Sequence, residues 1–293
     1  MPSATTTPHP FGRLGETLAM VRFSHTLFAM PFALTGMLLA ARGLPALTVC
    51  GWILVAMVAA RTAAMTFNRL ADRSLDARNP RTANRSLPAG RLTPLFAGGV
   101  FVGSVALLLL AAWRLNPLAL KLAPLALVIL CGYSLTKRFT SLSHLVLGLS
   151  LAGAPLGAWI AVRGDVRLQP LLLALAVLFW TAGFDVIYAL QDEQFDRRSG
   201  LHSLPVLLGP QKALLVARVF HLLTAILLFA VGRVADLGWF YMAAVAGGAV
   251  LLIVEHGLVS ATDLSRMQAA FFRVNVALGL MVLLGTAVDL LWA

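Results

Sequence analysis

Charged side chains are scarce in this chain. Only 12% of its 293 residues are Asp, Glu, Lys or Arg, and just twelve are acidic. An ordinary soluble domain carries about 25% charged residues, so a conventional water-exposed surface is excluded. Cysteine is nearly absent as well. Cys50 and Cys131 lie far apart in apolar stretches, with no Cys-x2-Cys spacing and no histidine pattern beside them, which excludes a zinc site or a disulfide framework and leaves packing as their role. The net charge of +11 comes from arginines gathered between apolar runs, not from a basic stripe, so nucleic acid is not the expected partner. The polar N-terminal stretch contains Pro2, Pro8 and Pro10, and the apolar run after it lacks a small-residue cleavage site, so no removable signal peptide is expected. Glycine-rich phosphate loops are missing too. Gly99-x3-Gly103 and Gly153-x3-Gly157 have the spacing of close helix packing instead.

What the chain has in quantity is apolar length: 59% hydrophobic residues and a mean hydropathy of +0.86. Roughly 20 apolar residues are needed to cross a hydrocarbon layer as a helix, the form that satisfies every backbone polar group internally. Nine such segments are expected, at 23–41, 47–67, 93–113, 118–136, 142–162, 171–190, 213–232, 237–254 and 270–292. The fold class is therefore all-α, a polytopic membrane bundle of about nine transmembrane helices forming one domain over 1–293. Lys and Arg are distributed unevenly across the connections, with fifteen of the 23 on the N-terminal side, six on the other and two (Arg61 and Arg218) within spans. The positive-inside rule then makes the N-terminus, a polar stretch over 1–20, cytoplasmic, together with two long polar loops at 68–92 and 191–212.

Those two loops resemble each other. Asn68-x3-Asp72-x3-Asp76 aligns with Tyr188-x3-Asp192-x3-Asp196, and a Ser-Leu-Pro follows each, at Ser86–Pro88 and Ser203–Pro205. On a helix, residues four apart advance by about 40°, so each set projects from one face, and Asp185 lies seven residues before Asp192 on that face. Two carboxylate ridges at one depth can face each other across a cavity. Magnesium takes hard oxygen ligands, one or two carboxylates plus water and phosphate oxygens, so the ridges suit a metal-bound diphosphate whose developing charge must be neutralised. Arg78, Arg81, Arg85 and Lys137 supply matching cations, with arginine suited to bidentate phosphate recognition. Arg91 and Arg138 are equally well explained as topology signals. Arg61 lies inside a span, seven residues before Asn68, where a charge is costly unless paired; it could hold an acceptor carboxylate or pair with a motif aspartate. Tyr133 and Tyr188 are candidates for the acceptor pocket. His25, His144 and His221 fall on separate spans without ligand spacing and read as hydrogen-bonded packing residues.

The runs Asn68-Arg-Leu-Ala-Asp72-Arg-Ser-Leu-Asp76-Ala-Arg-Asn-Pro-Arg81-Thr and Asp185-Val-Ile-Tyr188-Ala-Leu-Gln-Asp192-Glu-Gln-Phe-Asp196 resemble the signature motifs of the UbiA superfamily of membrane prenyltransferases. The resemblance implies a nine-helix bundle with a central cavity, a lateral opening for a lipid chain, and Mg²⁺ with diphosphate held by Asn68, Asp72, Asp76, Asp192 and Asp196, with Asp185 at the start of the second motif. The stretches beginning at His25 and Phe195 are similar to a bacterial branch acting on 4-hydroxybenzoate, which implies transfer of a polyprenyl group from polyprenyl diphosphate to an aromatic acid in ubiquinone biosynthesis, at the inner membrane. It also places His25 among the candidate acceptor-binding residues. The alternative acceptor is a dihydroxynaphthoate of the futalosine route to menaquinone. Where that branch has Arg-Pro-Leu after the first motif, this chain has Arg85-Ser86-Leu87. A CDP-alcohol phosphotransferase would need a single continuous glycine-bearing aspartate motif, and a transporter would place its polar groups near the midplane. The sequence shows neither.

Overall fold

The computed structural model describes residues 12–21, 26–267 and 269–292. Among them the chain is helical with no β-strand. In order the helices are α1 (Gly12–Val21), α2 (Thr26–Ala41), α3 (Leu47–Ala71), α4 (Arg73–Arg78), α5 (Pro94–Leu115), α6 (Pro117–Thr136), α7 (Ser143–Arg163), α8 (Leu168–Ala189), α9 (Glu193–Arg198), α10 (Leu204–Leu208), α11 (Pro210–Val234), α12 (Trp239–Leu258) and α13 (Asn275–Leu291). Eight are long and apolar enough to cross a membrane: α3, α5, α6, α7, α8, α11, α12, and the stretch Phe272–Leu291 that contains α13. The segment expected at 23–41 is described from Thr26, where it forms α2, 16 residues covering about 24 Å at about 1.5 Å per residue; residues 23–25 lie outside the described residues. Local chemistry sets several boundaries. Thr93 and Asn116 cap α5 and α6, accepting from Phe96 N at 3.2 Å and Ala119 N at 2.9 Å, and each is followed by a proline whose missing N–H costs nothing at a helix start. Gly164, at φ +68°, closes α7 in the left-handed conformation that favours glycine.

The long helices form two groups that share α7. In the first, α2, α7, α8, α11, α12 and α13 pack each on the next in a closed ring, and its interior is filled by Phe32, Trp180, Tyr241, Leu173, Leu228 and Leu278. In the second, α3, α5 and α6 pack on one another and on α7 around an apolar cavity of about 630 Å³ that α8 also borders. Close approach to α7 is secured by two glycines. A Cβ on Gly36 would collide with the backbone of Pro155, and one on Gly148 with the backbone of Leu178, so these positions bring α2 and α8 against α7. The glycine pairs expected to do this do not. No atom lies within 4 Å of where a Cβ would stand on Gly99, Gly103, Gly153 or Gly157, because the first two lie on an exposed face of α5 and the others border the apolar cavity.

The N-terminal stretch read as merely polar includes α1, an amphipathic helix. Its residues Glu16, Met20 and Val21 are buried, and the last two pack with Met65, Leu87 and Leu92, placing α1 against α3 and the first polar loop.

Candidate active site

Past its apolar run α3 turns one face to a cavity of about 300 Å³, lined in succession by Arg61, Met65, Asn68, Arg69 and Asp72, the i, i+4, i+7, i+8, i+11 spacing of a single helical face. At Asp72 the backbone leaves the helix, with φ −96° and ψ 7°, and the six-residue α4 then carries Asp76 as its fourth residue. The second motif repeats this construction. α8 runs into a 3-10 turn, Leu190–Asp192, Asp192 adopts φ −103° and ψ 0°, and the six-residue α9 carries Asp196 as its fourth residue. Both hinge aspartates lie in the sparsely populated bridge region. The duplication visible in the sequence is thus a duplication of structure, and all four carboxylates line the one cavity.

Each carboxylate has a cation. Arg138 Nη2 donates to Asp72 Oδ1 at 3.1 Å, and Asn68 Nδ2 donates to its other oxygen at 3.0 Å. Arg85 Nη1 donates to both oxygens of Asp76 at 2.7 and 2.8 Å, with Arg69 Nη1 at 3.7 Å. Arg81 crosses from the first loop to the second motif, its Nε donating to Asp192 Oδ1 at 2.9 Å and its Nη2 to Oδ2; its Nη1 also donates to Tyr188 Oη at 3.1 Å. Lys137 Nζ donates to Asp196 Oδ2 at 3.0 Å. Asp185 differs. Among the described residues its ion-pair partner is His144, whose Nδ1 is 2.7 Å from Oδ2.

Burial raises the pKa of Asp72 above the ordinary carboxylate value, an effect that Arg138 partly offsets. For Lys137 burial, the largest influence, pulls downward, and Asp196, Asp185 and Asp192 together outweigh it to leave the ammonium above the usual lysine value.

Most residues singled out in the sequence converge here: Asn68, Asp72, Asp76, Asp185, Asp192, Asp196, Arg61, Arg81, Arg85, Lys137, Tyr133 and Tyr188 all line the cavity. Arg78 does not. It is exposed and its Nε donates to Ser74 O at 3.3 Å, because two residues beyond Asp76 on α4 a side chain points to the opposite side. His25 lies outside the described residues. Sequence reasoning passed over Asn79, whose Nδ2 donates to Asp192 Oδ1 at 3.4 Å and whose Oδ1 accepts from Arg81 N at 2.9 Å. Asn79 stood inside the first motif run, so the signal was present without a role attached. Arg91 pairs with Glu16 of α1 at 3.0 Å, and Ser86 donates to Glu16 Oε2 at 2.6 Å; no spacing in the sequence links residue 16 to residue 86. His221 is as expected, a packing histidine bonded to His256 at 3.0 Å.

No three of the described His, Cys, Asp or Glu residues stand together as a ready-made metal cluster. The donor set nevertheless fits magnesium, which in such sites uses one or two carboxylates and takes its other oxygens from water and phosphate. The polar cavity adjoins the apolar one, since Arg61, Tyr133, Leu147 and Leu151 line both. A charged site therefore borders a largely apolar space inside one bundle.

The UbiA prenyltransferase family model matches residues 29–277. A 4-hydroxybenzoate octaprenyltransferase of Citrobacter koseri is 32% identical over 242 residues, 81% of this chain and 83% of that one. A 4-hydroxybenzoate solanesyltransferase of Synechocystis sp. is 34% identical over 262 residues, 88% of this chain and 89% of that one. Among solved structures, a UbiA homolog from Aeropyrum pernix K1 superposes with a TM-score of 0.83 at 35% identity, covering 92% of this chain and 98% of that one. The chain is a multi-pass membrane prenyltransferase and belongs to the UbiA family.

Proposed function

We propose that this protein transfers a polyprenyl group from polyprenyl diphosphate to the ring of 4-hydroxybenzoate in quinone biosynthesis, using Mg²⁺ and releasing diphosphate. It works at a bacterial inner membrane, with its N-terminus and active site facing the cytoplasm, the side that carries the excess of Lys and Arg. The observation that carries this reading is the adjacency of the two cavities: a cation- and carboxylate-lined pocket that fits a metal diphosphate, sharing a wall with an apolar space of about 630 Å³ that fits its prenyl chain.

The residues divide the work by depth. At the mouth, Asp72, Asp76, Asp192 and Asp196 are the residues that would hold magnesium. Arg81, Arg85, Lys137 and Arg138 are placed to exchange a carboxylate partner for diphosphate oxygens. When bound, the metal supplies positive charge against the diphosphate as its bond to the prenyl C1 breaks and the electron pair stays on oxygen. Because these cations already stand in the cavity, they stabilise that charge with little rearrangement.

Deeper, Arg61 and Asp185 suit the acceptor. Asp185 stands seven residues, about 10 Å along the axis, below Asp192, and has a histidine where the other four aspartates have Arg or Lys. We therefore assign it to the acceptor hydroxyl and not to the metal. In the repeat that aligns Asn68 with Tyr188, Arg61 lies four residues deeper than Asp185, about 6 Å, on the scale of a benzene ring with para substituents. Arg61 then grips the carboxylate while Asp185 accepts the hydroxyl proton's hydrogen bond and makes the ring electron-rich. The ring carbon beside the hydroxyl forms the new C–C bond, and the proton it carried leaves. Tyr133 and Tyr188 flank this space.

The test is to offer purified protein in lipid nanodiscs a polyprenyl diphosphate with 4-hydroxybenzoate and 1,4-dihydroxy-6-naphthoate in competition. Mg²⁺-dependent diphosphate release with prenylated 4-hydroxybenzoate as the main product is expected. Prenylated naphthoate as the main product, or release that needs no acceptor, would refute it.

A further inference from the structure

His144 is fully buried as the second residue of α7, and both of its ring nitrogens are engaged across elements. The backbone N–H of Leu204, at the start of α10, donates to Nε2 at 3.2 Å. Nε2 is therefore the acceptor nitrogen, so the ring proton is on Nδ1, which donates it to Asp185 Oδ2 at 2.7 Å. A neutral imidazole in one fixed tautomer thus bridges the second loop and the deepest carboxylate of the cavity. The loop is fastened nearby as well, since His202 N donates to Lys137 O at 2.7 Å, and Leu204 buries its side chain with Val186 and Ile187 of α8 and Leu190 of the 3-10 turn. One oxygen of Asp185 is occupied by His144, which leaves the other to face the cavity that Asp185 lines.

We propose that His144 is a positioning residue: it couples the docking of the second Ser-Leu-Pro segment over the site to the orientation of Asp185, so that the acceptor-facing carboxylate is set only when this loop is latched. This rests on the assignment of Asp185 to the acceptor. Merely filling space would not require both nitrogens to be satisfied by different elements, and removing the ring would leave a buried N–H on Leu204 and a freed carboxylate on Asp185.

The two arms separate by substitution. His144→Asn keeps an amide N–H near the Nδ1 position but no longer reaches Leu204. His144→Gln reaches the Nε2 position and no longer donates to Asp185. In nanodiscs, hydrogen exchange of the Leu204 amide and the KM and kcat for the aromatic acid are measured for each. His144→Asn is expected to speed Leu204 exchange by about 10-fold or more and, because an unlatched loop no longer sets Asp185, to lower kcat/KM for the acceptor as well although its amide can still donate to Asp185. His144→Gln is expected to keep Leu204 protected and to lower kcat/KM for the acceptor by about 10- to 100-fold, the range for loss of a group that orients an active-site ligand. KM for the prenyl diphosphate should stay near wild type in both. His144→Ala should show both defects, and adding it to Asp185→Asn should lower acceptor turnover no further. A His144→Asn variant that frees the Leu204 amide yet keeps wild-type kcat/KM for the acceptor, or an unchanged Leu204 amide in His144→Ala, would overturn the coupling. Full turnover in Asp185→Asn would instead overturn the role given to Asp185, leaving the latch to be judged by exchange alone.

Discussion

The two polar loops share one construction and divide its duties unequally. Each is a long helix, a hinge aspartate and a six-residue helix carrying a second aspartate, but the cations come from elsewhere than symmetry would suggest. The first loop neutralises its own Asp76 through Arg85 and reaches across to Asp192 with Arg81. The second loop gives the site no cation. Its Arg197 is spent on Glu193 and on Val206 O, and Asp196 depends on Lys137 at the end of α6. The anchors differ in the same way. The first Ser-Leu-Pro is fastened through a side chain, Ser86 to Glu16, whereas the second is fastened through a backbone N–H, Leu204 to His144. A duplicated carboxylate scaffold has therefore been fitted with one loop that supplies cations to both motifs and one whose aspartate draws its cation from the end of α6.

The most severe way to test whether the scaffold is truly equivalent is to remove a hinge carboxylate from each half. Asp72→Ala and Asp192→Ala should each reduce kcat by at least about 10³-fold, because charge stabilisation at the breaking bond carries the largest share of such catalysis. A large loss in one and a small loss in the other would break the equivalence. Next in size is the cation asymmetry. Arg81→Ala should cost about 10²-fold in kcat/KM for the prenyl diphosphate, more than Arg85→Ala, since Arg81 carries the charged contact between the loops. Arg81→Lys should recover little, because a point charge cannot replace the two-pronged contact with Asp192. Equal costs for Arg81 and Arg85 would remove the distinction drawn between the loops.

Much of this was legible before any coordinates, for physical reasons that also mark where legibility ends. Apolar runs of about 20 residues admit one solution in lipid, so the bundle could be read directly. The i, i+4 spacing of Asp72 and Asp76 pointed to a shared face, and both do line the cavity, but the break in the helix at Asp72 was not legible from that spacing. Arg78 illustrates the limit of proximity in sequence: two residues from Asp76, it points away, and only helical phase reveals that. Gly153 and Gly157 illustrate another, since a small-residue spacing signals either a tight interface or an open cavity wall, and the choice depends on what the neighbouring helices bring. His144, Glu16 and Asn79 were not legible as partners because their bonds span 60, 70 and 113 residues respectively, and pairings over such separations leave no periodic trace.

The anchor of the first loop predicts a smaller effect, on stability more than on chemistry. Ser86 stands where the resembled branch has proline, and its hydroxyl donates to the buried Glu16. Ser86→Ala should cost about 1–2 kcal/mol, the range for leaving a buried partner short of a bond, and lower the melting temperature by a few degrees. Glu16→Gln keeps the shape but loses the charge that pairs with Arg91 and should behave similarly. A fall in kcat without a fall in melting temperature would mean that this anchor acts on the chemistry directly, erasing its contrast with His144.

The smallest effect concerns the pairing between Arg138 and Asp72. Burial pushes the Asp72 pKa up, and Arg138 draws it partly back. Arg138→Ala removes the lowering influence and leaves the raising one, so Asp72 takes up a proton at higher pH than in wild type. Metal binding needs the ionised carboxylate, so the acid limb of the kcat/KM profile should move to higher pH while the alkaline limb stays in place. Because the Arg138 side chain is 42% exposed, water and salt weaken its hold. The displacement should therefore be modest, and the difference between variant and wild type should shrink as ionic strength rises. Arg138→Lys should fall between the two. An acid limb that does not move, or one that moves to lower pH, would show that Arg138 does not govern the charge of the first hinge aspartate and that its contact with Ala71 O at 2.7 Å is its main role.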